Sequence, residues 1–407
     1  MNIGLINPNK GLKHAAVHIG IGYVASYARE NHNDLNIKFI DTRIAKETEI
    51  DAFLNTKYDI IGITSSSQVF LEAVEIGIKI KKITNTPICI GGSHASTVKE
   101  DCLQGFPFDY AIYGEGEISF SELIGYIKGN VDISTINGLI YKNTSGSIIK
   151  NPPREIIKDI DSIPFPAYDL FNMSGYPQHR ITTSRGCPFN CVFCNSHSIW
   201  TNKWRKHSTK YLIEEIKILI SKYKRKTIVF NDDSFNIDAK RVMNFCNELI
   251  IQKLNIIWST SVRVDLITPE IAKKIKQSGC YNVSIGIESA NNEALKKINK
   301  KTTIERISDG INILRDAGID VMGQFMIGNP GDNLDTVKES IEFTYNERLK
   351  AIELAKENGF YNALSKDKKV WMLDIGKNIA KNLQRILTGK FGNQIYLWLR
   401  ILYRKMS

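Results

Sequence analysis

Residues 185–195 of the 407-residue chain read RGCPFNCVFCN, and this is the most informative stretch of the sequence. Cys187, Cys191 and Cys194 are spaced four and three residues apart, with Pro188 and Asn190 between the first two. These interruptions favour a loop over a helix, so we expect the thiolates to fold around a small iron–sulfur cubane. The loop lacks a fourth thiolate, which would leave one iron open to a substrate or cofactor. The spacing therefore indicates catalytic metal chemistry.

Zinc is the alternative metal for this loop. His197 follows Cys194 by three residues and would complete a Cys3His set within eleven residues. Four tetrahedral ligands in so short a loop would be strained, so the iron–sulfur interpretation is preferred. The remaining cysteines are scattered through predicted strands and helices: Cys89, Cys102, Cys246 and Cys280. Seven cysteines in this distribution are not a disulfide framework, and we expect a reducing cytoplasm.

The rest of the chain around the loop alternates short apolar runs with helical patterns. Residues 179–345 contain five consecutive strand–helix units, and the cysteine loop follows the first strand. Such repeats predict a barrel or partial barrel whose active site lies at the carboxyl ends of the strands. Residues 131–178 are predicted to form a small hairpin and a proline-containing linker that separates this region from the first 130 residues.

The first 130 residues are predicted to form a doubly wound parallel sheet with helices on both faces. Ligands bind at the carboxyl ends of the strands in such sheets. Small or polar residues follow three of the predicted strands: Ser65, Ser66 and Ser67; Gly91, Gly92, Ser93 and His94; Gly114, Glu115, Gly116 and Glu117. Small residues let a bulky ligand approach the backbone. The alternative is a set of tight turns that bind nothing.

The cysteine loop resembles the cluster motif of the radical S-adenosylmethionine superfamily, including the aromatic Phe193 before the last cysteine. The preceding domain and the PFP segment at 164–166 resemble the subgroup that places a cobalamin-binding domain before the radical barrel. The resemblance covers about residues 1–345. It implies an α/β fold in which a Rossmann-like sheet of the cobalamin-binding type is followed by a partial (β/α)6 barrel.

The resemblance also implies the cofactors. Cys187, Cys191 and Cys194 would ligate a [4Fe-4S] cluster, and S-adenosylmethionine would chelate the open iron through its amino and carboxylate groups before reductive cleavage of the sulfonium. Residues at matching positions would contact S-adenosylmethionine: Asp232, Asp233, Arg263, Glu288, Ser289 and Gly328. Each also has a simpler explanation as a helix cap, an ion-pair partner or a turn residue.

Cobalamin is expected at the strand ends of the first domain. The implied contacts are Ser65, Ser66, Gly91, Gly92, Ser93, His94, Gly114 and Glu115. The sequence lacks the Asp-x-His-x-x-Gly motif through which other cobalamin proteins supply an axial histidine, so cobalamin would bind without that ligand. His94 and His18 could approach cobalt, although a histidine in a turn more often caps a helix or hydrogen-bonds the backbone. The alternative is a domain that retains the fold and binds nothing.

The C-terminal region departs from the family pattern. Residues 346–350 run directly into a helical segment, where the family has a sixth strand, so the fifth strand is predicted to be an exposed edge or to be covered by something unusual. Residues 370–375 are the only later strand candidate. Residues 346–407 are predicted to form a basic helical region, and its segment 378–405 is typical of a helix that rests on an anionic membrane. The alternative is packing against the barrel.

The predicted function is a radical enzyme that transfers a methyl group to an unactivated carbon if cobalamin is bound. Ring formation, methylthio transfer and rearrangement stay open, as does a non-catalytic cobalamin- or cluster-binding protein. The expected partners are a small-molecule or lipid-like substrate and an electron donor such as flavodoxin or ferredoxin. The net charge of +11 is diffuse, so nucleic acid is not expected. The start lacks a signal peptide, and no stretch approaches the roughly 20 apolar residues that span a bilayer.

Overall fold

The computed structural model describes residues 1–9, 16–357 and 399–401. The chain forms two compact units, one comprising residues 1–190 and 194–261, the other residues 191–193 and the chain from residue 262 onward. The first unit contains the strands β1 (Asn2–Asn7), β2 (Asn36–Asp41), β3 (Ile60–Thr64), β4 (Ile88–Gly91), β5 (Tyr110–Ile112), β6 (Leu139–Lys142), β7 (Ile148–Lys150), β8 (His179–Ile181), β9 (Ser184–Arg185), β10 (Arg205–Lys206), β11 (Thr227–Phe230) and β12 (Ile257–Val262). Its helices are α1 (Ile19–Asn31), α2 (Glu47–Leu54), α3 (Phe70–Ile83), α4 (Ser93–Val98), α5 (Gly116–Ile127), α6 (Ser196–Trp200), α7 (Thr209–Ser221) and α8 (Ala239–Ile251).

Seven strands of the first unit form one sheet in the order β2-β1-β3-β4-β5-β6-β7. The first five run parallel, and the predicted hairpin, β6–β7, extends the sheet in the antiparallel sense. Alternate residues of β3 enter opposite cores: Ile60 packs with α1 and α5, whereas Ile61 packs with α2 and α3. Helices therefore cover both faces, as the period-two burial of a parallel sheet requires, and the predicted doubly wound arrangement is confirmed.

A second parallel group in the same unit joins β8 to β11 and β11 to β12. Helix α7 follows β8 along the chain, and its first turn is capped by the hydroxyl of Ser208, which accepts the N–H of Tyr211. Helix α8 follows β11 and begins at a cap in which the carboxylate of Asp238 accepts the N–H of Arg241. Such caps satisfy donors that the first turn leaves unpaired. These strand–helix units match the predicted alternation.

The second unit contains α9 (Pro269–Gln277), β13 (Cys280–Glu288), α10 (Asn292–Lys297), α11 (Ile304–Asp316), β14 (Asp320–Phe325), α12 (Leu334–Glu357) and β15 (Leu399–Ile401). β13 and β14 are parallel, with a register shift between Gly286 and Glu288 at the carboxyl end of β13. The α9 helix starts at Pro269 behind the cap Thr268, an arrangement that suits proline because the first helical N–H needs no partner. The strand–helix alternation therefore continues to β14 and α12.

The chain after β14 differs from the prediction at one place. Helix α12 runs without interruption through residues 346–357, in agreement with a helical segment there. Leu399–Ile401, predicted as helix, forms the strand β15 instead, and it pairs antiparallel with β14. Pairing satisfies backbone groups that an edge strand leaves open, which is the physical reason for a strand at this position. The strand candidate at 370–375 and the rest of the tail lie outside the described residues.

No helix within the described ranges has the length and apolarity needed to cross a membrane.

Candidate active site

The cysteine loop is closed at its base by a short ribbon. β9 and β10 pair antiparallel, with Arg205 opposite Arg185 and Lys206 opposite Ser184, so residues 186–204 form one closed loop. Gly186 has φ +84°, and a Cβ there would lie 2.2 Å from the carbonyl oxygen of Lys203. Only glycine fits so close to the returning strand. The chain therefore turns sharply immediately before Cys187.

The three thiols of the loop are free of disulfides. Cys191 is buried, whereas Cys187 and Cys194 are partly exposed. The backbone N–H of Ser196 donates to the Sγ of Cys194 at 3.5 Å, and hydrogen bonds to sulfur are among the interactions that tune cluster thiolates. Three soft thiols with an N–H directed at one of them fit an iron–sulfur cluster in donor chemistry.

His197 lies in α6, and neither ring nitrogen has a hydrogen-bond partner although both are buried. Within the described residues, no three or more His, Cys, Asp or Glu side chains are gathered closely enough to hold a metal ion. Neither the Cys3His zinc alternative nor the three-thiolate cluster is therefore preassembled. The positions of these side chains do not distinguish zinc from an iron–sulfur cluster. The iron–sulfur assignment follows from the comparisons with known proteins.

The two adjacent aspartates after β11 have different surroundings. Asp232 is buried and accepts the N–H groups of Thr183 (2.7 Å) and Ser184 (2.9 Å) and the Thr183 hydroxyl. Burial raises the pKa of this carboxyl above its ordinary value, although Arg241 opposes the shift. Asp233 is exposed and accepts the hydroxyl of Ser196 at 2.6 Å. Asp232 therefore fixes the backbone between β8 and β9, and Asp233 is the carboxylate that is accessible beside the cysteine loop.

In the second unit, Glu288 has a strained backbone and an unsatisfied oxygen. Its φ is +65°, its Oε1 accepts from Lys300 Nζ at 2.9 Å, and its buried Oε2 has no hydrogen-bond partner. Strained residues with unpaired buried groups concentrate at functional sites. Lys300 Nζ also lies 5.7 Å from the centre of the Phe193 ring. The sequence analysis missed Lys300, because nothing distinguishes it from the neighbouring lysines of residues 296–301.

The other predicted contacts in the second unit are held by local hydrogen bonds. Arg263 pairs with Asp265 (Nη2 to Oδ2, 2.9 Å) and donates to the carbonyl oxygen of Lys300 at 2.9 Å. Ser289 is buried, and its hydroxyl accepts the N–H of Asn291. Gly328 has φ +95°, and no atom lies within 4 Å of its missing Cβ. The backbone N–H of Gly328 donates to Asp332 at 2.9 Å, so only the space beside its Cα is open, whereas Arg263 is engaged in structural contacts.

A cavity of about 420 Å³ lies in the first unit. Gly91, Gly92, Gly114 and Glu115 line it, whereas Ser65, Ser66, Ser93 and His94 do not. It is also lined by residues at the base of the cysteine loop and after β11: Ser184, Arg185, Gly186, Trp200, Asn231 and Asp233. A single cavity thus adjoins both the strand ends of the first sheet and the base of the cysteine loop.

The glycine wall of this cavity is suited to a large flat ligand. No atom lies within 4 Å of a Cβ built on Gly91 or Gly114, so a side chain at either position would enter open space. A Cβ on Gly92, which has φ +95°, would lie 2.7 Å from the carbonyl oxygen of Ser65. Bare backbone at two neighbouring strand ends allows close approach of a corrinoid or its nucleotide tail. These residues therefore fit the predicted cofactor.

His18, at the start of α1, is the histidine that lines the cavity. Its Nδ1 accepts the N–H of Ile21 at 3.3 Å, and its Nε2 lies 3.4 Å from the hydroxyl of Thr64. Burial lowers its pKa to about 4, so the imidazole is neutral at pH 7 and carries its proton on Nε2. In that tautomer Nε2 is a donor and not a metal ligand. His94 instead contacts the Ser67 hydroxyl and packs in a tilted arrangement against Phe70.

Both carboxylate oxygens of Glu115 accept hydrogen bonds from protein groups. Its Oε1 accepts from Arg185 Nη1 at 2.8 Å, and its Oε2 accepts from Arg205 Nη1 at 2.8 Å and from the N–H of Ile157 at 2.7 Å. Glu117 accepts from the other arm of Arg185 at 2.7 Å. Both arginines were missed as functional candidates, because their carboxylate partners lie far away in the chain, 70 residues for Arg185–Glu115 and 90 for Arg205–Glu115.

Comparisons with known proteins agree with both halves of this description. Residues 181–344 match the Radical SAM superfamily, and residues 12–124 match the B12 binding domain. The chain is 35% identical over 335 residues to an uncharacterized methyltransferase, PH0819, of Pyrococcus horikoshii, which covers 80% of this chain and 72% of that protein. It is 28% identical over 338 residues to the anaerobic magnesium-protoporphyrin IX monomethyl ester cyclase of Rubrivivax gelatinosus, covering 79% of this chain and 60% of that protein.

One solved structure with the same fold is the radical S-adenosylmethionine methyltransferase TsrM from Kitasatospora setae with cobalamin and a [4Fe-4S] cluster bound. The TM-score is 0.74 at 18% identity, over 85% of this chain and 73% of that chain. The matches to the Radical SAM superfamily and to the B12 binding domain make the cofactors expected from the resemblance, a [4Fe-4S] cluster, S-adenosylmethionine and cobalamin, those of the family, and iron–sulfur is preferred over zinc. The chain belongs to the radical S-adenosylmethionine superfamily, in the group that carries a B12-binding domain.

Proposed function

We propose that this chain cleaves S-adenosylmethionine at a [4Fe-4S] cluster held by Cys187, Cys191 and Cys194, and that it uses cobalamin to methylate an unactivated carbon of a small molecule. The observation that carries the proposal is the cavity that adjoins both the glycine-lined strand ends and the base of the cysteine loop. Methyl transfer needs the corrinoid close to the site where the radical forms. A corrinoid in this cavity would lie next to the base of the cysteine loop.

When bound, the cluster supplies the electron that cleaves S-adenosylmethionine, and the corrinoid supplies the methyl group. The protein has to bind, orient and shield them. In this proposal Asp233 accepts a hydrogen bond from the amino group of S-adenosylmethionine, because its carboxylate is exposed beside Cys194 and is tied to the same serine. Asp232, which is buried and fully engaged, positions the backbone.

In the second unit, we assign the ribose contact to Glu288 and Ser289. The unpaired Oε2 of Glu288 is an acceptor that a hydroxyl would satisfy, and an unsatisfied buried acceptor costs about 1–3 kcal/mol. Gly328 is assigned to the adenine side because the space beside its Cα is open. Arg263, which was predicted to contact S-adenosylmethionine, is assigned instead to positioning the Lys300 backbone.

For cobalamin, we assign contacts to Gly91, Gly92 and Gly114, and we add His18 as a donor through Nε2–H. Ser65, Ser66, Ser93 and His94 stay as predictions, although they do not line the cavity. Glu115 is assigned to the support of the cavity wall and not to the ligand, because each of its oxygens accepts a hydrogen bond from an arginine. Neither His18 nor His94 would then supply an imidazole ligand to cobalt.

We also propose that the barrel of this protein ends after five parallel strands. Two observations support this finer assignment: α12 continues unbroken to Glu357, and the strand next to β14 is the antiparallel β15. An electron donor such as flavodoxin or ferredoxin would reduce the cluster. Contact of the C-terminal tail with an anionic membrane stays a prediction, because most of that tail lies outside the described residues.

The test is an anaerobic assay of the reconstituted full-length chain with dithionite and S-adenosylmethionine. Wild-type protein is expected to show iron–sulfur absorption, to retain hydroxocobalamin and to release 5'-deoxyadenosine. The Cys191→Ala variant is the control, because loss of one of three thiolates removes the cluster. Release of 5'-deoxyadenosine by the wild type at the level of this control would overturn the enzyme and leave a non-catalytic binding protein.

Ring formation is the second candidate, because the Rubrivivax gelatinosus relative is a cyclase. The two reactions differ in what becomes of S-adenosylmethionine. Each transferred methyl group that comes from S-adenosylmethionine leaves one S-adenosylhomocysteine, whereas ring closure by hydrogen abstraction leaves none. Measuring S-adenosylhomocysteine together with 5'-deoxyadenosine during turnover therefore separates methyl transfer from ring formation.

A further inference from the structure

Both arginines of the ribbon at the base of the cysteine loop lead to the same carboxylate. Arg185 on β9 and Arg205 on β10 are cross-strand partners, and each donates to a different oxygen of Glu115. Glu115 is the N-cap residue of α5, in the turn after β5. The two strands that bracket residues 186–204 are therefore held to the strand-end loop of the first sheet.

The ion-pair cluster is closed by Glu117, in the first turn of α5. Arg185 uses one arm of its guanidinium for Glu115 (2.8 Å) and the other for Glu117 (2.7 Å). The side chains of Arg185, Glu115, Glu117 and Arg205 are only 4%, 2%, 6% and 8% exposed, respectively. Removing one member of such a group leaves an unpaired buried charge, which is strongly unfavourable. The four groups are therefore expected to move together.

Aromatic rings surround the guanidinium of Arg185. Its Cζ lies 5.0 Å from the centre of the Tyr23 ring and 5.6 Å from that of Trp200, and Arg205 lies 5.5 Å from the same Trp200 ring. Cation–π contacts at these distances favour one orientation of a planar guanidinium. Tyr23 belongs to α1 and Trp200 to α6, which lies inside the cysteine loop.

Arg185, Glu115, Glu117, Tyr23 and Trp200 all line the 420 Å³ cavity. A ligand there would touch the cluster of charges directly, and Arg185 lies two residues before Cys187. A shift of the turn at Glu115 would be transmitted through Arg185 to the start of the cysteine loop. None of the four charged groups needs to contact iron or S-adenosylmethionine for this to occur.

We infer that Arg185 is a positioning residue that couples occupancy of the cavity by a corrinoid to the geometry of the cysteine loop, and hence to binding of S-adenosylmethionine. This inference rests on the proposed function. The coupling is reciprocal, so a corrinoid in the cavity changes the affinity for S-adenosylmethionine by the factor by which S-adenosylmethionine changes the affinity for the corrinoid.

The experiment measures the Kd of S-adenosylmethionine for the full-length chain with its oxidised cluster, under anaerobic conditions and without reductant, so that no turnover occurs. Each protein is measured with and without saturating hydroxocobalamin. Wild type is expected to show a ratio of the two Kd values of roughly fivefold or more. Arg185→Lys keeps the positive charge but loses the two-armed guanidinium that pairs with Glu115 and Glu117. Both cofactors are expected to bind this variant, and the ratio of its two Kd values is expected to fall to within about twofold of one.

Arg154→Lys is the matched control, because Arg154 pairs with Glu122 on the same helix α5 and does not line the cavity. It is expected to keep the wild-type ratio. If Arg185→Lys does not fold, Glu117→Gln replaces it, since this change removes the negative charge opposite one arm of the Arg185 guanidinium and leaves Glu115 paired with both arginines. A wild-type ratio of one, or a wild-type ratio retained in Arg185→Lys or Glu117→Gln, would overturn the inference. Failure of wild type to take up cluster or corrinoid would instead refute the proposed function, and the inference with it.

Discussion

The backbone N–H of Ser196 points at the Sγ of Cys194, 3.5 Å away. Ser196 begins helix α6, and its hydroxyl donates to Asp233, the exposed carboxylate after β11. One serine thus links the last thiol of the cysteine loop to the acidic residue that we assign to the amino group of S-adenosylmethionine. The backbone N–H and the hydroxyl of Ser196 therefore position Cys194 and Asp233 relative to each other.

Replacing Asp233 by asparagine removes the negative charge from this position while keeping a similar shape. We expect the Kd of S-adenosylmethionine to rise roughly tenfold or more, because a charge-assisted hydrogen bond contributes about 1.5–3 kcal/mol. Binding is measured on the oxidised cluster without reductant, and the iron content is measured in parallel. Ser196→Ala, which keeps the N–H to sulfur, is expected to have a smaller effect. An unchanged Kd in Asp233→Asn would contradict the assignment.

Gly186 and Gly146 provide a matched pair for testing the turn before Cys187. Both have positive φ, +84° and +81°, but a Cβ on Gly186 meets the Lys203 carbonyl at 2.2 Å, whereas Gly146 has open space. Gly146→Ala is expected to cost about 1–2 kcal/mol from backbone strain alone. Gly186→Ala is expected to cost more and to lower the iron bound after reconstitution. Equal iron content and equal urea midpoints in the two variants would refute a special role for this turn.

Lys300 forms a buried pair with Glu288, with side chains 12% and 6% exposed. Lys300→Met should lower the free energy of unfolding by about 3 kcal/mol, because it leaves the Glu288 carboxylate buried without its counter-charge. Adding Glu288→Gln should recover most of that loss. The control is Lys338→Met, which breaks an exposed pair with Asp335 and should change stability by less than about 1 kcal/mol. Urea unfolding of the full chain measures all four proteins, and similar losses in both single variants would argue against a buried pair.

Glu215 should make stability depend on pH. This fully buried carboxyl accepts the hydroxyl of Tyr168 at 2.6 Å, and burial raises its pKa from 4.5 to about 8. The folded chain therefore keeps a proton that the unfolded chain releases near pH 4.5, so this contribution is full at low pH and is lost as the pH rises to about 8. Relative to Glu215→Gln, wild type should lose at most about 1.4 kcal/mol per pH unit in that window. Parallel stability curves of the two proteins between pH 5 and 8 would show that Glu215 is ionised in the folded state.

Local patterns predicted the parts of this site that depend on neighbours in sequence. Gly91, Gly92 and Gly114 were identified because glycines after predicted strands mark a sheet edge, and the structure places them in the wall of the cavity. The adjacent Asp232 and Asp233 could not be separated from sequence alone. One residue step after a strand reverses the side-chain direction, and that reversal buries Asp232 and exposes Asp233.

Contacts between distant residues could not be predicted from local patterns. Arg185 stood in the cysteine motif, but its pairing with Glu115 and Glu117 depends on how the chain brings residues about 70 positions apart together. For the same reason Glu115 was predicted to contact cobalamin, whereas its oxygens accept from two arginines. Lys300 carried no signal at all in a lysine-rich segment, and its role depends on the left-handed turn at Glu288.

The most direct test of the central claim is electron–nuclear double resonance on the reduced full-length protein, frozen immediately after reduction with S-adenosylmethionine labelled with 15N in its amino group. Three thiolates from Cys187, Cys191 and Cys194 leave one iron for the cofactor, so we predict a hyperfine coupling between the cluster and the labelled nitrogen, which is lost together with the cluster in Cys191→Ala. A protein that holds a full complement of iron and binds S-adenosylmethionine without this coupling would contradict the account.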